Sequence, residues 1–131
     1  MAGIFSKIVT GEIPAYKIAE DESYLAFLDI NPLKKGHTLV IPKKETDYIF
    51  ELDNHTYLGL MKFAKRVAEA LKKSVPCKRI SLQIIGLEVP HVHVHLIPIN
   101  TMNDCDFSAE KLKFSKEEFK ETAVFIASNF L

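Results

Sequence analysis

The sequence predicts an α+β domain: a five-stranded antiparallel sheet carrying one long helix and a C-terminal helix. Three observations predict it. Five short apolar runs have strand character, the paired runs leave no room for crossover helices, and only two long segments show helical periodicity. At 131 residues the chain suits one domain over 1–131, with 113–131 as a C-terminal helical segment.

Residues 3–10 fit a short helix, stopped by the turn chemistry of Gly11 and Pro14. YKIAE (16–20) and YLAFLDI (24–30) read as strands joined across the polar DES. NPLKKG (31–36) is a loop, with Pro32 as turn residue and Gly36 able to take a positive φ. HTLVIP (37–42) is a buried strand that Pro42 ends. Asp53 can N-cap the long helix, whose apolar face runs through Leu60, Met61, Ala64, Val67, Ala68 and Leu71. Lys72 and Lys73 suit the negative end of its dipole, and Pro76 lies beyond. RISLQIIG (79–86) and HVHVHLIPI (91–99) are expected as strands with a very short connection around LEVP. Ser115 and Glu118 form a capping box ahead of a stripe of Phe119, Ala123, Ile126 and Phe130, in a helix reaching Asn129.

Composition narrows the function classes. Seventeen basic and seventeen acidic residues cancel, so no global field draws the protein to nucleic acid or to a membrane surface. No run approaches the ~20 apolar residues of a membrane span, and the N-terminal stretch lacks the apolar core of a signal peptide. Cys77 and Cys105 have no CxxC spacing, which suits a reducing, cytoplasmic setting.

The chemistry concentrates in VPHVHVHLIP, where His91, His93 and His95 alternate and account for three of five histidines. On a strand they share one face, while Val92, Val94 and Leu96 turn to a core on the other. Three readings compete: the polar side of an exposed strand, a metal site, or a catalytic row. A straight strand sets the outer imidazoles about 13 Å apart, too far for one ion, and no HExxH companion is present. In the catalytic reading the central imidazole attacks phosphorus, and its neighbours donate hydrogen bonds to phosphate oxygens. An extended phosphate suits that row better than one ion does.

HVHVHLI (91–97) resembles the signature of the histidine triad (HIT) family, and residues 4–44, from IFSKIVTGEIP to HTLVIPKK, resemble its Hint branch. The resemblance spans residues 4 to about 98. It implies a HIT-like fold and a nucleotide hydrolase or transferase acting at the α-phosphorus of purine nucleoside phosphoramidates or related adenylates. By that resemblance His93 is the nucleophile that forms a nucleotidyl-imidazole, His91 orients its ring, and His95 and His37 stand beside the phosphate. Asp29 in FLDINP matches the acid that accepts hydrogen bonds from the ribose hydroxyls; Phe27, Ile30 and Ile13 match the apolar wall around base and sugar. No metal or other cofactor is required, and relatives of this branch pair as homodimers through the long helix and a strand. Lys34, Lys35, Lys43 and Lys44 are read as solvated loop lysines.

Two departures stand out. Many bacterial relatives begin CIFC and carry a histidine soon after the IPK segment; with the first triad histidine these groups hold a structural zinc. Gly3, Ser6 and Glu45 occupy those positions here, so no structural zinc is expected. The family's pre-triad asparagine and Gly-Gln pair have no counterpart in QIIGLEVP, where Gln83 offers an amide and Glu88 a carboxylate that would meet an amine leaving group or a histidine. The altered segment leaves two alternatives open: a dinucleoside polyphosphate hydrolase, as in the Fhit branch, or a nucleotide-binding protein with vestigial catalysis.

Overall fold

The computed structural model describes residues 3–131; residues 1 and 2, which the expected domain span includes, lie outside the described residues. Helix α1 (Ile4–Thr10) leads into β1 (Lys17–Glu20), β2 (Tyr24–Leu28) and β3 (Thr38–Pro42), followed by the long α2 (Asn54–Ser74). Then come β4 (Arg79–Gln83), β5 (Val94–Ile99) and the C-terminal α3 (Lys116–Ser128). The strands form one antiparallel sheet in the order β1-β2-β3-β5-β4, so β5 lies inside and β4 is an edge. The α+β architecture read from the sequence is the one observed.

Alternation sorts each strand between two layers. On one face Tyr24, Ala26, Leu28, Val40, Val94 and Leu96 meet Leu60, Phe63, Ala64, Val67 and Leu71 of α2, with Ala123 and Ile126 of α3. On the other, Leu25, Phe27, Leu39 and Ile41 meet Phe5 and Ile8 of α1. Both faces of β2 and β3 are therefore apolar and buried, which explains why these runs read as continuously hydrophobic rather than alternating.

The caps behave as their residue types require. Asp53 accepts from the Thr56 N–H, and Ser115 and Glu118 exchange bonds across the first turn of α3. Two glycines are needed for space or backbone conformation. A Cβ on Gly59 would collide with the Tyr24 hydroxyl, which donates to the Thr56 carbonyl at 3.1 Å. Gly36 turns the chain into β3 at a φ of 89°.

The expected strand pair around LEVP is corrected. The β4–β5 ladder ends at Gln83↔His95, so residues 84–93 form a loop and not a tight connection. Gly86 turns at a φ of 75° and Pro90 offers no N–H. The Val92 N–H pairs instead with the Thr46 carbonyl at 2.7 Å. Of the triad, only His95 lies within a regular strand.

Candidate active site

A cavity of about 500 Å³ opens on the sheet face that α1 partly covers. Its floor is the sheet: Phe27, Leu39, His37 and His95, with His93 just before β5. Ile13, Asp29, the largely exposed Ile30 and the loop Ile85–Val89 also line the cavity. Of the residues expected at the site, His93, His95, His37, Asp29, Phe27, Ile13, Ile30 and Glu88 line this cavity. Gln83 does not line it; its amide donates to Ser81 Oγ at 3.2 Å on β4. His91 does not line it either. Its ring is buried against Phe5, with centroids 5.7 Å apart. Lys34, Lys35, Lys43 and Lys44 stay outside, although two of them are paired: Lys34 with Asp104 at 3.0 Å and Lys43 with Glu20 at 2.8 Å.

The histidine rings are fixed by the backbone groups they meet. The Leu33 N–H donates to His37 Nδ1 at 3.0 Å, so the neutral ring carries its proton on Nε2. That Nε2 lies 3.0 Å from His95 Nδ1, which must then accept, and the His95 proton resides on Nε2. His93 is set in the opposite sense. Its Nδ1 lies 2.8 Å from the His91 carbonyl, which can only accept, so Nδ1 holds the proton and Nε2 keeps the lone pair. The rings of His93 and His95 stand 4.9 Å apart, and Phe5 packs edge-on to His93 at 5.1 Å. His91 thus orients its neighbour through a carbonyl, while its own Nε2 donates to the Pro42 carbonyl at 2.8 Å.

Burial disfavours the charged form of three of these rings, His37, His91 and His95. Desolvation, with the neighbouring imidazoles and the Lys111 charge, pushes His37 down to about 3, and desolvation with His93 pushes His95 down to about 4. Burial also lowers His91, against the opposing Pro42 hydrogen bond and the Glu45 charge. Desolvation raises the Asp29 carboxyl, opposed by the Asn31 N–H that its Oδ1 accepts at 2.8 Å.

The sequence offered the histidine row no companion ligand, but the fold supplies one set: donor atoms of Asp29, His37 and His95 lie within 4.8 Å of one another. The hydrogen bonds argue against a metal there. Coordination by His37 Nε2 requires its lone pair and moves the proton to Nδ1, where it would oppose the Leu33 N–H. His37 and His95 instead form a relay of N–H donors anchored at the Leu33 backbone, with the Asp29 carboxylate beside it as an acceptor.

A second set surrounds His91. Glu45 Oε1 accepts from the Gly3 N–H at 2.9 Å and from the Ser6 hydroxyl at 2.8 Å, and these bonds hold its carboxyl below the usual range. His91 Nδ1 is buried with no hydrogen-bond partner among the described residues. One imidazole lone pair and one carboxylate do not make a tetrahedral zinc site, since Gly3 offers no side chain and Ser6 a neutral hydroxyl. These residues do not fit zinc.

Sequence reading missed Phe5, Phe107 and Lys111. Phe107 packs edge-on to His95 at 4.9 Å, and Lys111 lines the cavity. Phe5 sits in the IFSK segment that the resemblance covers, but no role attached to it there. The other two lie in a polar stretch with no periodicity or motif to single them out.

Comparison with known proteins agrees with this geometry. The HIT domain family profile matches residues 10–102. An uncharacterised HIT-like protein of Borreliella burgdorferi is 38% identical, with 96% of each chain covered. The adenosine 5′-monophosphoramidase hnt1 of Schizosaccharomyces pombe is 40% identical over 75% of this chain and 74% of its own. Among solved structures, a zinc-bound histidine triad family protein of Mycobacterium smegmatis superposes with a TM-score of 0.83 at 29% identity, over 99% of this chain and 94% of that one. The alternating histidines, the fold that carries them and these matches together establish that the chain belongs to the HIT family.

Proposed function

We propose that this protein is a nucleotide hydrolase or transferase that cleaves purine nucleoside phosphoramidates, or related adenylates, at the α-phosphorus. The observation that carries the reading is the setting of His93: a ring whose Nδ1 proton is committed to the His91 carbonyl and whose Nε2 lone pair is left for attack. In the first step Nε2 bonds to phosphorus as the P–N bond breaks, and the departing amine takes up a proton from solvent. Water then attacks phosphorus as the P–Nε2 bond breaks and gives up a proton to solvent, yielding the nucleoside monophosphate and restoring the Nε2 lone pair of His93. His95 Nε2–H, held outward by the His37 relay, supplies a preorganised donor for charge developing on the phosphoryl oxygens.

Asp29 is the proposed acceptor for the ribose hydroxyls, and Ile13, Phe27 and Ile30 the wall for sugar and base. Glu88, exposed on the cavity wall, suits a cationic amine leaving group better than a phosphate. The phosphoramidase relative supports the choice of substrate. Residues 1–131 are proposed as one domain that acts as a homodimer. The edge position of β4 and the exposed Leu82 on it and Leu58 on α2 support pairing that extends the sheet. Neither a bound metal nor another cofactor is part of the reading. Among the described residues no helix is long and apolar enough to cross a membrane.

The test is turnover of adenosine 5′-phosphoramidate by wild type and His93→Ala, with intact-protein mass spectrometry of quenched reactions. Wild type should release AMP and carry a transient adenylyl adduct that the variant lacks. Equal turnover by both proteins would sink the assignment.

A further inference from the structure

The family match ends at residue 102, yet the chain that follows returns to the cavity before α3 begins. This strap is sewn down at several points. Asp104 accepts from the N–H groups of Asn100 and Thr101 at 2.7 and 3.0 Å and pairs with Lys34 at 3.0 Å. Further along, the Leu112 N–H donates to the Pro32 carbonyl at 2.8 Å. Between these anchors the Phe107 ring meets both His95 and His37 edge-on, at 4.9 and 6.3 Å. Lys111 Nζ donates to the Phe107 carbonyl at 2.6 Å and the Ala109 carbonyl at 3.0 Å, which commits two of its three protons and fixes its charge.

That charge is the one cation, imidazoles aside, among the described residues lining the cavity. The same lining contributes the carboxylates of Asp29 and Glu88. A phosphate entering such a site meets two acidic side chains and the N–H of His95, a ring whose charged form burial disfavours. Lys111 shares the cavity lining with Asp29, His37, His93 and His95. Its two hydrogen-bond partners are uncharged carbonyls, and among the described residues it forms no ion pair with a carboxylate.

We propose that Lys111, delivered by the strap outside the family-matched segment, is a phosphate-binding residue that makes this cavity select nucleotides over nucleosides. The inference rests on the nucleotide reading of the site. It deepens that reading by naming a group that neutralises the substrate's phosphate charge where His95 supplies an N–H and the His37 N–H is already given to His95.

The test is calorimetric titration of AMP and of adenosine into wild type, Lys111→Met and Lys111→Arg. Wild type should bind AMP more tightly than adenosine. Lys111→Met should lose about tenfold or more in AMP affinity, the loss of one charge-assisted hydrogen bond, with adenosine affinity unchanged within about twofold. Lys111→Arg should recover most of the AMP affinity. Adenosine binding also reports that the variant's site is folded. An equal loss for both ligands would mean that Lys111 only pins the strap, and overturns the proposal while sparing the nucleotide site. Wild type that binds adenosine as tightly as AMP overturns it too. Wild type that binds neither removes the nucleotide reading and this inference together.

Discussion

The two ends of the histidine row are both buried and are built in opposite senses. At the His95 end a backbone N–H, from Leu33, starts a chain of bonds through His37 that leaves a proton on the outermost nitrogen. At the His91 end the rings meet carbonyls, from Pro42 and from His91 itself, so each keeps an unprotonated nitrogen. One end therefore offers an N–H and the other a lone pair. A phosphoryl transfer needs both: an attacking lone pair, and donors aimed at the oxygens. What distinguishes chemically identical side chains is which main-chain group each was folded against.

The largest effect that can break this comparison is kinetic. His95→Ala removes the donor and the end of the relay, and should lower kcat by about 10² to 10³, the loss typical of one preorganised oxyanion donor. His91→Asn keeps the carbonyl that orients His93, and should cost less than about tenfold in kcat per folded molecule, with a clear fall in Tm from the lost packing on Phe5. Single-turnover rates with melting curves separate the two. If His91→Asn slows turnover as much as His95→Ala, the ring of His91 does more than its carbonyl, and the contrast between the ends fails.

The next effect is on stability. His37 at about 3 and His95 at about 4 lie below the ordinary histidine value of about 6.5, so the unfolded chain binds protons that the folded chain refuses. Stability is then fully present above about pH 6.5 and is lost as pH falls toward 4 and then 3. Thermal melts from pH 7.5 to 4.5 should show Tm falling across a window that lies mostly above ordinary carboxylate titration. His37→Asn should flatten part of that slope even if it lowers Tm at pH 7. A wild-type Tm that holds constant from pH 7 to 4.5 would contradict the neutral relay.

The legibility of the molecule follows the range of the forces involved. Strand alternation and helix caps are local, and the sequence carries them plainly: Val92, Val94 and Leu96 do face α2, and Asp53 and Ser115 do cap. The start of β5 was harder. Alternation continues through His91 to His93, but whether a backbone pairs with β4 or with Thr46 depends on a distant loop. Asp29 and His37 were marked by resemblance; on their own they read as a turn acid and a strand-end histidine. Lys111 was not visible at all. Its place in the cavity is set by the strap's anchors at Pro32 and Lys34, about 80 residues away in the sequence, and no local pattern encodes such a return.

The smallest effect lies beside His91, where Glu45 joins Gly3 and Ser6 by hydrogen bonds. Both bonds are exposed, so Glu45→Ala should lower Tm only slightly. The informative measurement is elemental analysis of protein purified without an affinity tag, which should find far less than one zinc per chain; one equivalent would overturn the assignment of this corner as metal-free. The same corner can be pushed the other way. Gly3→Cys, Ser6→Cys and Glu45→His together would add two thiolates and an imidazole around the unpartnered His91 Nδ1, a complete tetrahedral set. That triple variant should take up one zinc per chain and gain Tm on metal addition. If it does, the idle nitrogen of His91 is a ligand position whose partners are missing. If it binds no zinc, the lone pair at this end faces the wrong way, and the Glu45 bonds are an unrelated solution to closing α1 onto the sheet.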